Sequence, residues 1–242
     1  MKIRNTRPTL VLAALAASSV ALATGAAPAR AQDVGHTPEN SPYRDIPWRH
    51  QLTAFTGYYA ASKDPAGVAP RSGPLGGVRY DVRVGGPAQF YARLTGVSSE
   101  RMVLDPRAPV GERELGTKSL GLFLADVGLA LNLTGQKSWN SLVPVLSGGV
   151  GVVTDFDNED IGSYKLGTPF ALSLGTGVRW VPGGRFQLRV DITDHLFQIR
   201  YPSTYFQSSA TPPTPLLEQT QKDNVWKHNA ALTIGASYLL GR

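Results

Sequence analysis

The stretch Gly77-Val-Arg-Tyr-Asp-Val-Arg-Val-Gly85 alternates charged side chains with bulky, mostly apolar ones. Successive side chains of a β-strand point to opposite faces, so one face of this strand carries Arg79, Asp81 and Arg83 and the other carries valine and tyrosine. A water-soluble sheet would turn the charged face outward. A transmembrane barrel would turn it into its lumen and expose the apolar face to lipid. The rest of the sequence must decide between these two structures.

The N-terminus has the features of a secretory signal peptide. Three basic residues precede an apolar run over 10–27, and an Ala-Arg-Ala cleavage motif ends at Ala31. A retained membrane anchor is the alternative, but the run is rich in alanine and shorter than a usual membrane span. We predict a signal peptide over 1–31, cleaved near Ala31, and a flexible polar tail over 32–49.

Composition excludes several classes of protein. Four of the 24 basic residues lie in the predicted leader, which leaves 20 against 18 acidic ones, so the basic pI gives little support for a nucleic-acid partner. There are no cysteines, and hence neither disulfides nor a thiolate metal site. No motif indicates a cofactor. The 26 glycines and the 17% charged residues suit a single all-β domain, which we place at 50–242.

Eight segments of this domain have the composition and alternation of β-strands, and no segment between them has the period of a helix. Their predicted bounds are 50–61, 75–85, 88–98, 119–134, 142–154, 168–181, 185–199 and 228–240.

The connections between these segments alternate between long and short. Those at 62–74, 99–118, 155–167 and 200–227 are long and polar, whereas those after the second, fourth and sixth segments are short. Outer-membrane barrels sort their loops in this way, with long external loops and short periplasmic turns. The longest connection, 200–227, contains little that could form a core, so we expect it to be the most mobile.

Opposite faces of the segments also differ in size and charge. In the segment 119–134, Phe123, Val127 and Leu131 share one face, and Asp126 and Asn132 share the other. Bulky faces turned inward would fill a small barrel with leucine and leave charges and glycines outside; turned outward, they form a lipid belt. We therefore predict an all-β fold, an eight-stranded antiparallel up-and-down transmembrane β-barrel.

With these features the chain resembles the eight-stranded outer-membrane β-barrel family, which includes outer-membrane protein A-like and OmpW-like barrels. The resemblance covers about 50–242, and its last strand resembles the family's C-terminal assembly signal. The residues that match this signal are Thr233, Gly235, Tyr238 and Leu240. The resemblance implies a location in the cell outer membrane, contact with outer-membrane lipid and recognition by the barrel-assembly machinery.

The predicted lumen carries a set of charges that we expect to pair with one another, because an unpaired buried charge is costly. The members of this charge network are Arg79, Asp81, Arg83, Arg93, Asp126, Arg179, Arg189 and Asp191. A salt-bridged network that plugs the lumen is the main interpretation. The alternative is a narrow channel that favours anions, since five members are arginines.

Aromatic residues cluster at the end of the barrel that carries the short turns. We predict that they belong to an aromatic girdle at the membrane interface. Its members are Phe90, Trp180, Phe186 and Tyr238.

The sequence gives only weak evidence for catalytic or metal-binding residues. Asp191 and His195 share a face, but four residues along a strand separate them by about 13 Å. Ser203 and His195 match no catalytic motif, and the acidic run 155–160 lacks the spacing of an EF-hand. The glycines of 148–151 precede no helix and so form no dinucleotide-binding motif. We expect no enzymatic activity and no bound metal.

The expected function is that of a monomeric outer-membrane protein with a structural or surface-interaction role, whose external ligand the sequence does not name. Three alternatives remain open at this point: a narrow channel, a lipid-modifying rim enzyme and a soluble exported β-barrel.

Overall fold

The computed structural model describes residues 41–207 and 214–240, so the predicted signal peptide, its cleavage site, residues 32–40 and the C-terminal residues 241–242 lie outside it. Within the described residues the chain forms ten β-strands and two short 3₁₀ turns, Val110–Glu112 and Ser203–Tyr205. The strands are β1 (Tyr43–Asp45), β2 (His50–Ala61), β3 (Gly73–Gly85), β4 (Ala88–Leu104), β5 (Glu114–Asn132), β6 (Lys137–Trp139), β7 (Leu142–Thr154), β8 (Phe170–Trp180), β9 (Phe186–Arg200) and β10 (Asn224–Leu240). No helix in the described parts of the chain is long and apolar enough to cross a membrane.

Eight of these strands form a closed antiparallel ring. Each pairs with its neighbour in the order β2, β3, β4, β5, β7, β8, β9 and β10, and β10 returns to pair with β2. The closing seam is long and regular, since its pairs run from Leu240 with His50 to Asn229 with Ala61. The predicted all-β antiparallel up-and-down barrel is thereby confirmed. The short connections lie at one end of the ring, here called the short-turn end, and the long ones at the other, the long-loop end.

The predicted strand bounds agree with the structure for some strands and fall short of it for others. β2 and β7 match residue for residue, whereas β4 continues to Leu104 and β5 begins at Glu114. The added part of β4 contains Ser98-Ser-Glu-Arg101, whose polar side chains hide the alternation, although Arg101 pairs with Lys118 of β5. The connection predicted over 99–118 is therefore only 105–113.

A small ribbon at the short-turn end corrects the predicted flexible tail over its described part. β1 pairs with β6, and beyond β1 the backbone N–H of Ile46 donates to the carbonyl of Gln136 at 2.9 Å. Ile46 is buried against Val143 and Val145. The polar, proline-bearing tail has no strand pattern of its own, so tertiary contacts order it.

The orientation of the two faces is as predicted, with the apolar faces outward. Leu94 of β4 is 60% exposed, whereas its neighbour Arg93 is 6% exposed and Asp126 opposite it is also 6% exposed. This arrangement inverts the usual distribution of a water-soluble protein, in which charged residues are almost never fully buried.

The long connections are packed into the barrel mouth, and the described parts of 200–227 take part in this packing, while its greater mobility stays a prediction. Val68, Tyr164, Tyr205 and Leu217 come from three different connections, and all four are buried. They join inward-facing residues of the ring, such as Phe197, in one apolar cluster. We call this cluster the mouth core.

Two adjacent glycines of β7 show how tightly the lumen is filled. A Cβ atom added at Gly149 would lie 2.6 Å from the carbonyl oxygen of Val127 and against the Tyr91 hydroxyl. A Cβ atom at Gly148, on the outer wall, would meet the Leu174 side chain at 3.5 Å and the Ser173 carbonyl oxygen at 3.9 Å, both ordinary contact distances.

We therefore expect Gly149→Ala to destabilise the barrel by about 1–3 kcal/mol, because the lumen must shift to hold one more carbon. Gly148→Ala is the matched control and should be nearly silent. The measurement is the free energy of unfolding in urea, with the protein in lipid vesicles. Equal losses for the two variants would contradict the assignment of Gly149 to the filled interior.

Candidate functional site

The centre of the lumen contains a carboxylate shared by two arginines. Arg79 donates from Nε and Nη2 to Asp81 at 2.9 and 2.8 Å, and Arg189 donates to the same carboxylate at 3.3 Å. Arg189 also binds Asp191, at 2.6 and 2.8 Å. Because β3 and β9 are not neighbours in the ring, the Asp81–Arg189 contact crosses the lumen.

A second ion pair joins β4 and β5 and extends to the opposite wall. Arg93 donates from Nε and Nη2 to the two oxygens of Asp126, both at 2.9 Å. Its third nitrogen, Nη1, donates to Thr193 of β9 at 3.0 Å, and Ser173 of β8 donates to Asp126 at 3.2 Å. The pair is thus tied to four strands of the ring.

Tyr91 lies between these two groups of charges. The guanidinium carbon of Arg79 lies 3.9 Å from the centre of the Tyr91 ring, and the Tyr91 hydroxyl is within 3.1 Å of Ser173. Cation–π contact stabilises an arginine that is shielded from water. Tyr91 is absent from the predicted charge network because it carries no charge, although its place between Gln89 and Arg93 on the inward face indicates that it lies in the lumen.

Arg179 is buried and is solvated by amides. It donates to the side-chain carbonyl oxygens of Gln51 at 2.9 Å and Gln89 at 3.4 Å, and also to Asn132. Among the described residues no carboxylate lies within ion-pair distance of Arg179. The three amides come from β2, β4 and β5, and the sequence prediction missed them because amides carry no charge.

Arg83 departs from the predicted charge network. Its Nη2 donates to the main-chain carbonyl of Ile46 at 2.5 Å, so it holds the N-terminal segment against the short-turn end. Alternation along β3 predicts an ion pair for Arg83, because it shares a face with Arg79 and Asp81. That face reaches the end of the barrel at Arg83, where the segment before β2 supplies the acceptor instead.

One further buried ion pair lies against the mouth core, between Arg101 of β4 and Asp160 of the 155–169 connection, at 2.6 Å. Arg101 lies over the Tyr164 ring, with its guanidinium carbon 5.4 Å from the ring centre. Tyr164 in turn stacks on Tyr205 at 6.5 Å. Burial, and after it the Asp160 carboxylate, raises the pKa of the Tyr205 phenol, so this hydroxyl stays neutral. Sequence separation hid this ion pair, since its partners are 59 residues apart.

The four predicted girdle residues lie on the outer wall near the short-turn end. Phe90, Trp180, Phe186 and Tyr238 are exposed, and the rings of Phe186 and Tyr238 meet edge to face at 5.2 Å. Exposed aromatic residues at the long-loop end, which the prediction did not include, are Tyr58, Phe123, Phe156, Phe170 and Trp226.

The residues of the predicted assembly signal lie on β10, at the seam that closes the ring. Gly235 is on the inward face, where an added Cβ atom would lie 2.9 Å from the Ala54 carbonyl of β2. Tyr238 pairs with Leu52, and Leu240 with His50, both on the outer wall, and Thr233 pairs with Gly57.

The residues considered as catalytic or metal-binding candidates do not come together in one site. His195 is buried in the ring, whereas Asp194 points to the outer wall and binds His228 at 2.6 Å. Ser203 begins a 3₁₀ turn. Within the acidic run, Asp157 pairs with Lys118 and Asp160 with Arg101. In residues 41–207 and 214–240, no group of three or more His, Asp or Glu side chains could hold a metal ion.

We expect Asp81→Asn to destabilise the barrel by about 3–5 kcal/mol, because it leaves Arg79 and Arg189 buried without their shared charge. Asp157→Asn removes one carboxylate from an exposed pair and should cost less than about 1 kcal/mol. Urea unfolding in vesicles, followed by tryptophan fluorescence, measures both losses. The central ion pairs would be dispensable if the two variants unfolded at the same urea concentration.

Comparisons with known proteins support the fold. No protein-family profile and no curated protein sequence matches the chain. Among solved structures, neisserial surface protein A matches with a TM-score of 0.50 at 13% identity, over 79% of this chain and 97% of that one. Ail, the attachment invasion locus protein of Yersinia pestis, matches with a TM-score of 0.38 at 11% identity, over 81% of this chain and 100% of that one. Neisserial surface protein A is an eight-stranded outer-membrane barrel, so the likeness agrees with the strand count of the ring.

Proposed function

We propose that this chain, which has the fold of the eight-stranded outer-membrane β-barrels, is an integral outer-membrane protein with an occluded lumen and a structural or surface-interaction role. The observation that carries the proposal is the inversion of its two faces: paired charges fill the interior and a continuous apolar belt covers the wall. In water this distribution would expose the apolar belt and bury the charges, and both raise the free energy of the folded protein. In a bilayer the belt is solvated by lipid.

The belt gives a direct test of membrane insertion. Leu94 lies on the outer wall between Val78 of β3 and Ala125 of β5. We expect Leu94→Arg to lower the free energy of unfolding in vesicles by about 2–4 kcal/mol, because it places a charge in hydrocarbon. Leu94→Met keeps the volume and the apolar character and should be nearly neutral.

The two Leu94 variants also separate the proposed location from a soluble exported barrel. On a water-exposed wall, arginine would be tolerated at least as well as methionine. An unfolding free energy of Leu94→Arg equal to that of Leu94→Met would therefore contradict membrane insertion.

Three layers of side chains support an occluded lumen. The central ion pairs and Tyr91 cross the interior, the mouth core covers the long-loop end, and the segment around Ile46 covers the short-turn end. A cavity near Ile46 and Arg83 holds only about 10 Å³. A single water molecule needs about that much space, so this cavity is too small for a continuous water column.

We expect the wild-type protein to give no discrete current steps in a planar bilayer. Insertion is checked on the same sample by its resistance to unfolding in sodium dodecyl sulfate without heating, as a closed ring has no free edge. Steps whose size grows with salt concentration, from an inserted sample, would show the alternative function, a narrow channel.

Export and assembly complete the proposal. The predicted leader would direct the chain across the inner membrane, and the barrel-assembly machinery would recognise the last strand. β10 supports this role, because it forms the closing seam and presents Tyr238 and Leu240 on the outer wall. The closed ring supports a monomeric state, because it leaves no strand edge with which a second copy could pair.

We propose a non-catalytic role because of the positions of the candidate catalytic residues. His195 is enclosed by the ring, and two carboxylates of the acidic run, Asp157 and Asp160, are paired with Lys118 and Arg101. The surface open to other molecules is therefore the outer rim of the long connections.

A further inference from the structure

A cleft of about 520 Å³ opens on the outer wall at the long-loop end. It lies between the end of the 155–169 connection and strands β8, β9 and β10. Its lining residues are Lys165, Leu166, Gly167, Thr168, Pro169, Phe170, Gln198, Arg200 and Trp226.

Strand pairing places an aromatic residue on each side of the cleft. Gln198 of β9 pairs with Trp226 of β10, and on its other side the register brings Phe170 of β8 next to it. Phe170 is 52% exposed and Trp226 is 49% exposed. Aromatic rings with this exposure mark the level at which a barrel wall meets the lipid head groups.

The cleft also contains two cations that the protein does not neutralise. Lys165 and Arg200 are both exposed. In the described part of the chain neither forms an ion pair, whereas the exposed Lys118 on the same rim binds Asp157 at 2.8 Å. Two free cations beside two aromatic rings form a surface that is complementary to an anion attached to an apolar body.

An apolar groove adjoins this cleft. Thr168 lines both the cleft and a groove of about 630 Å³ on the wall of β3, β4, β5 and β7. Phe123 and Phe156, whose ring centres lie 5.3 Å apart, stand in the groove. Below the cleft, Leu172 and Leu196 form a pair on the outer wall. Acyl chains of a molecule in the cleft would thus contact apolar surface both in the adjoining groove and on the wall below the cleft.

We infer that this cleft binds the phosphorylated head group of a membrane lipid, with the phosphate between Lys165 and Arg200 and the acyl chains along the wall. Arginine forms paired hydrogen bonds to phosphate oxygens, and lysine adds a point charge. Each basic residue near a membrane surface contributes to the attraction of anionic lipid. This inference rests on the proposed membrane location and adds to it a particular lipid class and binding site.

Trp226 provides a reporter inside the cleft. The other three tryptophans, Trp48, Trp139 and Trp180, lie at the short-turn end, so their replacement by phenylalanine leaves one fluorophore next to the cations. The protein is placed in phosphatidylcholine vesicles that contain brominated phosphatidic acid or, in parallel, brominated phosphatidylcholine. Bromine quenches a tryptophan that it contacts, so the ratio of quenching measures the lipid preference at the cleft.

We expect Trp226 to prefer phosphatidic acid by about tenfold, and K165Q/R200Q to abolish that preference. R71Q/R107Q is the matched control, because it removes two exposed cations from the same end of the barrel but outside the cleft. It should keep the preference. Should the phenylalanine substitutions lower the folded yield, spin-labelled phosphatidic acid and its electron paramagnetic resonance give the same ratio for proteins with all four tryptophans.

Three results would overturn the inference. An unchanged preference in K165Q/R200Q would show that the cleft does not select the lipid. Equal quenching by both lipids in the wild type would show that no selection exists. Loss of quenching on addition of inorganic phosphate, but not of sodium chloride at matched ionic strength, would indicate a site for the free anion.

Flotation of the vesicles separates these results from a failure of the proposed function. Protein that stays in the soluble fraction contradicts membrane insertion and removes the basis of the lipid site. Protein that floats with the vesicles and shows no preference contradicts the lipid site alone.

Discussion

A charge inside an eight-stranded ring has only the other side chains of the ring as its solvent, and the Asp81 carboxylate shows how the fold meets this constraint. Arg79 approaches Asp81 from its own strand and Arg189 reaches it from across the lumen. A shift of one residue in the pairing of β3 would turn Arg79 and Asp81 together toward the apolar outer wall and remove the contact between Asp81 and Arg189. The charges of the interior therefore neutralise one another only when the strands pair in the observed register.

The interior divides into two regions of different chemistry because its two ends are closed by different means. At the centre, only the strands supply side chains to the lumen. Every second residue of a strand must be apolar because it faces outward, and the residues between them can be polar. At the long-loop end the connections fold back, and Tyr164 and Tyr205 build a core like that of a water-soluble protein. Arg101 and Asp160 lie at this junction, where a strand charge is matched by a residue of a connection.

Sequence periodicity was sufficient to predict what depends on a single strand. The inward direction of Arg93 and Asp126 follows from alternation alone. The partners of these charges do not, because a contact across the lumen, such as Arg93 with Thr193, depends on the size and stagger of the whole ring. The same holds for β1, which has no pattern of its own and is ordered by β6.

Volume explains why glycine is common on the inward faces, a feature that the charge pattern alone does not account for. Tyr91 and the arginine side chains are large and lie inside the narrow ring. A Cβ atom added at Gly128 or Gly149 would collide with the Tyr91 hydroxyl, and one added at Gly177 would collide with the Asp191 carboxylate. Large polar residues on one wall thus require missing side chains on the wall opposite or beside it.

Pairing inside the barrel has a consequence for its outside. Arg79, Arg93 and Arg189 are committed to carboxylates of the interior, so they have no capacity left for a molecule from solution or from the membrane. Cations that the fold leaves unpaired, such as Lys165 and Arg200, are on the outer rim, where their desolvation is slight and their charge remains available. The basic residues that hold the ring together are therefore different from those of the proposed lipid site. Substitutions on the rim can therefore change what the surface recognises while the register of the ring is preserved.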